Sequence, residues 1–423
     1  MMTSGITRPT FHFTATSGWI NDPHGITYRD GGYDVFYQYV PRSTVWQPNC
    51  HWGHARGEDL LSLRELPVAI APGEGDDGIW TGSLVTDDRG DARVLYTATN
   101  TPDFGIGRIR SAEPSDADWI HWRKGAIVAE ARDGLDLIAY RDPFVRQEGD
   151  LWRMFVGAAG CDGTAMALTY VSEDQLETWR YDGVALARST HETDPVWTGA
   201  LWECPQIFAI GERYAMVTSV WDADNLHYTA YALGTYSEGR FQAETWGRLT
   251  YGPSYYAPSM FLDSEQRPCL TFWMRGIADP HAGWAGAHSV PHLVRLEGDH
   301  LIADPHPDIE RYHQPAGSKT PSVDAQAVDI TWSPTPGDEV AISRGSQPVA
   351  SVRLGQADIR IHVGESVWTI PSSDNLRIII DGPALEIATA GANFGTAIPT
   401  HAGELSITTS GPAPQIRTLA RLH

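Results

Sequence analysis

The chain has 423 residues and carries 53 Asp and Glu against 31 Lys and Arg, a formal net charge of −22. So acidic a surface repels polyphosphate backbones and anionic bilayers, which argues against nucleic acid or membrane as a partner, and no apolar run reaches membrane-spanning length. The 41 Gly, 28 Pro, 16 Trp, 16 Tyr and 11 Phe suit an all-β protein with many turns and many flat rings on which sugars stack.

The first residues, Met1 to Thr10, show no apolar segment after a basic start. Cys50, Cys161, Cys204 and Cys269 are scattered without C-x-x-C spacing, and there is no N-x-S/T acceptor site. The expectation is a cytoplasmic protein with reduced thiols, although a mature chain stripped of a leader would read the same.

Trp19-Ile20-Asn21-Asp22-Pro23-His24-Gly25 sets a carboxylate in a tight Asn-Asp-Pro turn between an aromatic approach and a strand. Ile26 to Arg29, a turn at Gly31-Gly32 and Tyr33 to Tyr39 read as a β-hairpin by alternation and turn chemistry. Alone, Asx-Pro merely starts a turn. Here the arrangement recurs at Thr81-Gly82, Asp142-Pro143, Glu203-Cys204-Pro205 and Ala257-Pro258, each time before an apolar strand, a polar turn and a returning strand. The returns are Val94-Leu95-Tyr96, Trp152 to Phe155, Tyr214 to Val217 and Leu270 to Trp273. An interval of about 60 residues is of the same kind as the repeats of four-stranded propeller blades, and five copies predict a five-bladed β-propeller over residues 1–314.

In a propeller the first strand of each blade lines the central channel, so corresponding positions converge on the axis. Asp22, Asp142 and Glu203 fall at that position. Three gathered carboxylates repel one another, a poor choice for structure and a good one for catalysis. Gln38 interrupts an aromatic strand, and a buried amide needs partners, whether across to the next blade or into the site. Arg141 beside Asp142 keeps that acid ionised or forms a plain surface pair. Cys204 reads as a small buried hydrophobe beside Glu203. His51, His54 and His191 lack the spacing of a metal site, so no metal and no cofactor are expected. Beyond Ile309 to Lys319 the pattern changes: Pro315 to Ser318 and Thr320-Pro321-Ser322 read as a linker. Ile359 to Val363, Leu376 to Ile380 and Leu385 to Ala388 then read as strands of a β-sandwich over 315–423.

Asn21-Asp22-Pro23, Arg141-Asp142-Pro143 and Glu203-Cys204-Pro205, in this order, resemble the three acidic motifs of glycoside hydrolase family 32, the invertases, levanases and inulinases. His51 to Ala55, Trp80 to Ser83, Tyr256-Ala257-Pro258 and Gly283 to Gly286 are similar to further segments of the family, so the likeness covers nearly the whole chain. It implies the propeller and sandwich, and a retaining, exo-acting β-fructofuranosidase that needs no cofactor. By resemblance Asp22 is the nucleophile, Glu203 the acid and then base, and Asp142 the holder of two fructosyl hydroxyls. Glu203 must then arrive protonated, helped by the two aspartates. The likeness further implies that Asn21, Gln38, Trp46, Trp80, Thr81, Arg141, Tyr256 and Trp273 bind the sugar. The family usually carries Asn where this chain has His24, and an imidazole there predicts a pH response near neutrality. It often carries an acid where this chain has Ser254.

Three rival readings stay open. A transfructosylase uses the same acids with a sugar hydroxyl in place of water. An inverting arabinofuranosidase on a related scaffold lacks the Trp-Ile-Asn-Asp-Pro opening. A non-catalytic sugar-binding propeller is expected to have lost an acid, and this chain has all three. Sucrose, fructo-oligosaccharide, levan and inulin all remain as donors, with small imported sugars favoured, and the oligomeric state is open.

Overall fold

The computed structural model describes residues 8–87, 89–314 and 326–421. Strands dominate, and among the described residues the helical element is one 3-10 turn, Pro307–Tyr312. No helix of the described residues is long and apolar enough to cross a membrane.

The expected opening hairpin is present: Gly18–Arg29 pairs antiparallel with Gly32–Val40. Its turn falls on Asp30 and Gly31 at φ 48° and 73°, one residue earlier than the Gly31-Gly32 expectation. Two left-handed residues give the primed turn whose twist matches the strands it joins, and Asp-Gly is a preferred pair for it. Every residue of Gly32–Val40 is buried, which explains an aromatic run without polar alternation.

Three four-stranded antiparallel sheets follow, beginning with Gly78–Thr86, Leu137–Glu148 and Leu201–Ile210. The start and end of this region share a nine-stranded sheet, because Trp284–His288 runs parallel to the opening strand, with Gly18 opposite Trp284 and Trp19 opposite Ala285. Gly286, at φ 87°, makes this approach possible: a Cβ there would lie 1.9 Å from the Ile20 carbonyl oxygen. The leading strands touch in a cycle, Gly18–Arg29 on Gly78–Thr86, then Leu137–Glu148, Leu201–Ile210 and Tyr255–Leu262, and back to Gly18–Arg29. Apolar clusters lie between neighbouring sheets, such as Phe36 and Trp52 against Val94 and Tyr96 and Phe155 and Ala165 against Met216 and Ala232.

The remaining strands form a six-stranded and a five-stranded sheet whose apolar faces meet in one cluster, with Ile330, Ile378, Leu385 and Phe394 from one and Val340, Val352, Ile361 and Leu405 from the other. The linker segments read at 315–322 lie outside the described residues. The two parts are fastened elsewhere: Thr250–Tyr251 joins the six-stranded sheet beside Asn393 and Phe394, and the backbone amides of Thr10, Phe11 and His12 all donate to the Asp381 carboxylate.

Candidate active site

Each leading strand slips its register near its start: between Ile20 and Pro23, Trp80 and Gly82, opposite Phe155 and Gly157, between Glu203 and Gln206, and between Tyr256 and Ser259. Such bulges re-aim side chains out of the pleat. In three of them the residue before proline takes a left-handed conformation, Asp142 at φ 64°, Cys204 at 50° and Ala257 at 46°, an uncommon state for residues with a side chain. The freed amides are used between sheets. Asp142 N donates to Thr97 Oγ1 (2.8 Å), Cys204 N to Asp142 Oδ2 (3.1 Å) and Ala257 N to Ser219 Oγ (2.9 Å).

This register corrects one expectation. Asp142 and Cys204 are the matching bulge residues, and Glu203 stands one place earlier, level with Arg141 and Tyr256. Those three meet: Arg141 Nε and Nη2 donate to Glu203 Oε1 at 3.1 and 2.9 Å, and Tyr256 OH donates to Oε2 at 2.6 Å. Arg141 therefore grips Glu203, not its sequence neighbour Asp142.

Asp22 is held by three donors, Thr81 Oγ1 at 2.6 Å and Gln38 Nε2 at 3.2 Å on Oδ2, and Asn21 Nδ2 at 3.1 Å on Oδ1. Gln38 also donates to Thr81, and Trp19 Nε1 to Asn21 Oδ1 (3.1 Å). The Cys204 sulfur joins the aspartates, 3.9 Å from Asp22 Oδ2 and 3.7 Å from Asp142 Oδ2, in keeping with its reading as a buried small residue. Burial pushes the Asp22 carboxyl up to about 6, against the pull of Thr81 and with a push from Glu203. Burial also lifts Asp142 well above the usual carboxylate range. Arg141 opposes that rise, and Glu203 and Asp22 add to it.

Aromatic walls surround the acids. Trp273 is buried and packs edge-on against Trp19 and Tyr256, with centroids 5.5 and 6.5 Å away. Trp80 anchors its indole to Pro48 O at 2.8 Å, and Trp46 meets it edge-on at 5.7 Å. Below the acids the leading strands enclose an axial cavity of about 60 Å³ lined by Thr81, Ser83, Asp142, Cys204, Gln206 and Ser259, room for a water or two and too small for a sugar. All eleven site residues read from the sequence thus fall in one neighbourhood.

His24 departs from expectation. It is fully buried, its ring 4.0 Å from that of Trp52, and burial drives its pKa well below the usual value, with His288 adding to the effect. It stays neutral near pH 7 and cannot supply the titration that its sequence position suggests. Ser254 is buried and donates to Arg275 O (2.7 Å). His54 pairs with Asp34 (2.8 Å). Among the described residues one trio, Asp263, Cys269 and His306, brings metal-binding atom types within 4.8 Å. It lies at the far end of the Tyr255–Leu262 strand, and Arg267 already donates to Asp263 at 2.7 Å. The supports that sequence reasoning missed are Thr97, Ser219 and Thr218, whose hydroxyl donates to Glu203 O at 2.9 Å. They carry the signal that exposed Gln38: a polar residue in an apolar returning strand.

The model of the glycosyl hydrolases family 32 N-terminal domain matches residues 12–305. The chain is 32% identical over 329 residues to a sucrose-6-phosphate hydrolase of Zymomonas mobilis, covering 72% of this chain and 63% of that protein. It is 30% identical over 400 residues to a cell wall β-fructofuranosidase of Zea mays, covering 85% and 62%. It thus spans less than two thirds of the length of either. Among solved structures, a family 32 β-fructofuranosidase of Bombyx mori superposes with a TM-score of 0.84 at 23% identity over 98% of this chain and 94% of that one. A sucrose-6-phosphate hydrolase of Lactobacillus gasseri gives 0.83 at 18% identity, over 99% and 94%.

Proposed function

Because the chain belongs to glycosyl hydrolase family 32, we propose that it is an exo-acting β-fructofuranosidase that cleaves sucrose or short fructans with retention, on a five-bladed β-propeller (1–314) followed by a β-sandwich (315–423). The observation that carries the reading is the linkage of three buried or half-buried acids from three sheets through Thr81, Gln38, Cys204, Arg141 and Tyr256. The cyclic contact of the leading strands supports the blades, and the shared apolar cluster of the last two sheets supports the sandwich.

Asp22 attacks the anomeric carbon of the fructosyl unit while the bond to the leaving oxygen breaks and Glu203 passes its proton to that oxygen. The fructosyl ester on Asp22 is then opened by water, which gives a proton back to Glu203, and two inversions amount to retention. The three donors on Asp22 fix its lone pairs and stabilise the carboxylate as it leaves again. Asp142 faces the ring hydroxyls, and its charge counts most as positive charge grows on the sugar, so its contribution falls on the transition state rather than on binding. Asn21, Gln38 and Trp273 position the fructosyl unit, and Trp46 and Trp80 wall the path of the leaving sugar.

The test separates the acids by leaving group. Glu203→Ala is expected to cripple hydrolysis of sucrose, to spare the first step with an aryl fructofuranoside whose phenolate departs unaided, and to regain turnover with azide. Asp22→Ala is expected to show none of this. Equal loss on both substrates for Glu203→Ala, or a trapped intermediate in Asp22→Ala, would falsify the assignment.

A further inference from the structure

Resting on the fructosidase reading and narrowing its donor, we propose that Phe104 and Ile138 extend the Trp46–Trp80 pair into an apolar shelf that takes an uncharged sugar as leaving group and rejects a phosphorylated one. Trp80 stands between acids and rim. Its neighbour Thr81 holds Asp22, and the Arg141 guanidinium that grips Glu203 lies 5.9 Å above its ring. Outward from it, the Phe104 ring lies nearly parallel, at 8° and 6.3 Å between centroids, and Trp46 meets it edge-on.

The segment carrying Phe104 is zipped onto the start of the Leu137–Glu148 strand. Tyr140 N donates to Gly105 O (3.0 Å) and Gly107 N to Tyr140 O (2.9 Å). The approach is close enough that a Cβ on Gly105 would meet Ile138 O at 2.7 Å, which sets Ile138 beside the segment that carries Phe104. Trp46 is 42% and Ile138 50% exposed. Apolar groups left open in a row from the reacting acids outward mark a binding surface rather than scattered exposure.

The charges around the shelf agree. Asp77 accepts both the amide and the hydroxyl of Thr101, each at 2.8 Å, which holds its carboxyl below the usual range and anionic. Asp103, beside Phe104, is exposed. The segments 100–108 and 137–141 bring two basic residues, and both are committed: Arg108 donates to Gly75 O (3.0 Å) and Asn100, and Arg141 to Glu203. A phosphate dianion on the leaving sugar would meet these carboxylates with no free cation from either segment, against one exposed arginine, Arg42, on the loop that carries Trp46.

The experiment compares kcat/KM of the purified chain for sucrose, for an uncharged fructosyl trisaccharide, and for sucrose phosphorylated on the glucosyl 6-hydroxyl. The expected result is turnover of the uncharged donors and a kcat/KM lower by about tenfold or more for the phosphorylated one. Phe104→Ala is expected to raise KM for sucrose several-fold more than it lowers kcat, since a flat platform binds ground and transition states alike. Ile138→Arg, at an exposed position, is expected to raise the phosphorylated-to-plain ratio several-fold. Equal or better use of the phosphorylated donor, or an unchanged KM in a folded Phe104→Ala, overturns the shelf and leaves the fructosidase reading standing. Turnover of no fructoside at all overturns that reading itself.

Discussion

Two of the buried clusters of ionisable groups in this molecule are balanced in opposite ways. At the seam between the parts, the His12 imidazole lies between Asp381 (2.9 Å) and Glu386 (3.1 Å), and the Asp381 carboxylate also accepts three backbone amides. Burial alone would discharge the imidazole, yet the two carboxylates outweigh it and push His12 up to about 10. At the head of the leading strands three carboxylates gather, the Arg141 guanidinium is engaged with Glu203, and both aspartates are lifted by burial. The first cluster spends its polar groups on holding two regions together. The second gathers acids that burial makes costly to ionise, a cost to stability that a purely structural cluster would have no reason to bear.

The largest effect that sharpens this contrast comes from Asp142→Asn. Loss of the charge proposed to meet the developing oxocarbenium is expected to lower kcat by about 10²-fold or more. The same change should raise Tm at pH 7 by about 2 °C or more. The sign follows from linkage: the native carboxyl binds its proton more tightly than the unfolded one, so its stabilising share is complete below the unfolded value and is lost as pH rises through the lifted native value. A neutral amide does not suffer that loss. A Tm that falls at pH 7 and stays low in acid would place Asp142 among structural residues.

His12→Gln tests the other cluster. It leaves two buried carboxylates with a neutral partner, and about 3 kcal/mol of stability is expected to go at pH 7, while kcat measured below the new Tm holds. Because His12 is raised above its unfolded value, its contribution is complete below about 6.5 and fades as pH climbs through about 10. Thermal melts of wild type and variant should therefore converge toward pH 10. Parallel curves would show that packing, not charge, is what His12 provides.

The smallest effect is expected at His24→Asn. Since burial already keeps the imidazole neutral, the acidic limb of kcat/KM should stay where the lifted carboxyls of Asp22 and Asp142 lose their charge as pH falls, and shift by no more than a few tenths. A limb that moves with the substitution would put His24 in the ionisation that governs activity.

Much of this was legible in the chain. Hairpin alternation and Asx-Pro signals located the leading strands, and the recurring interval brought the acids together on paper before geometry did. What could not be read was anything set by which sheet a side chain faces. The Glu203 offset is the exception: it was legible, since Glu203 stands two residues before Pro205 where Asp22 and Asp142 stand one before theirs, and the strands carry the same bulge. Arg141 finds its partner 62 residues downstream, and His12 its partners 369 and 374 residues away. His24 looked titratable because type and position are visible in sequence, whereas the Trp52 ring that covers it is not.

The pairing of the opening strand with Trp284–His288 also sets a timetable. His288 meets the carbonyl of Asn21 at 3.0 Å, across 267 residues of chain. Joining ends so far apart costs loop-closure entropy that local hairpins do not. On a ribosome, Asp22 and its hairpin emerge well before Trp284–His288, the strand that stands behind Asn21. A nascent chain therefore carries Asp22 long before the strand that backs Asn21 exists, and the site proposed around it is complete only when those two strands meet.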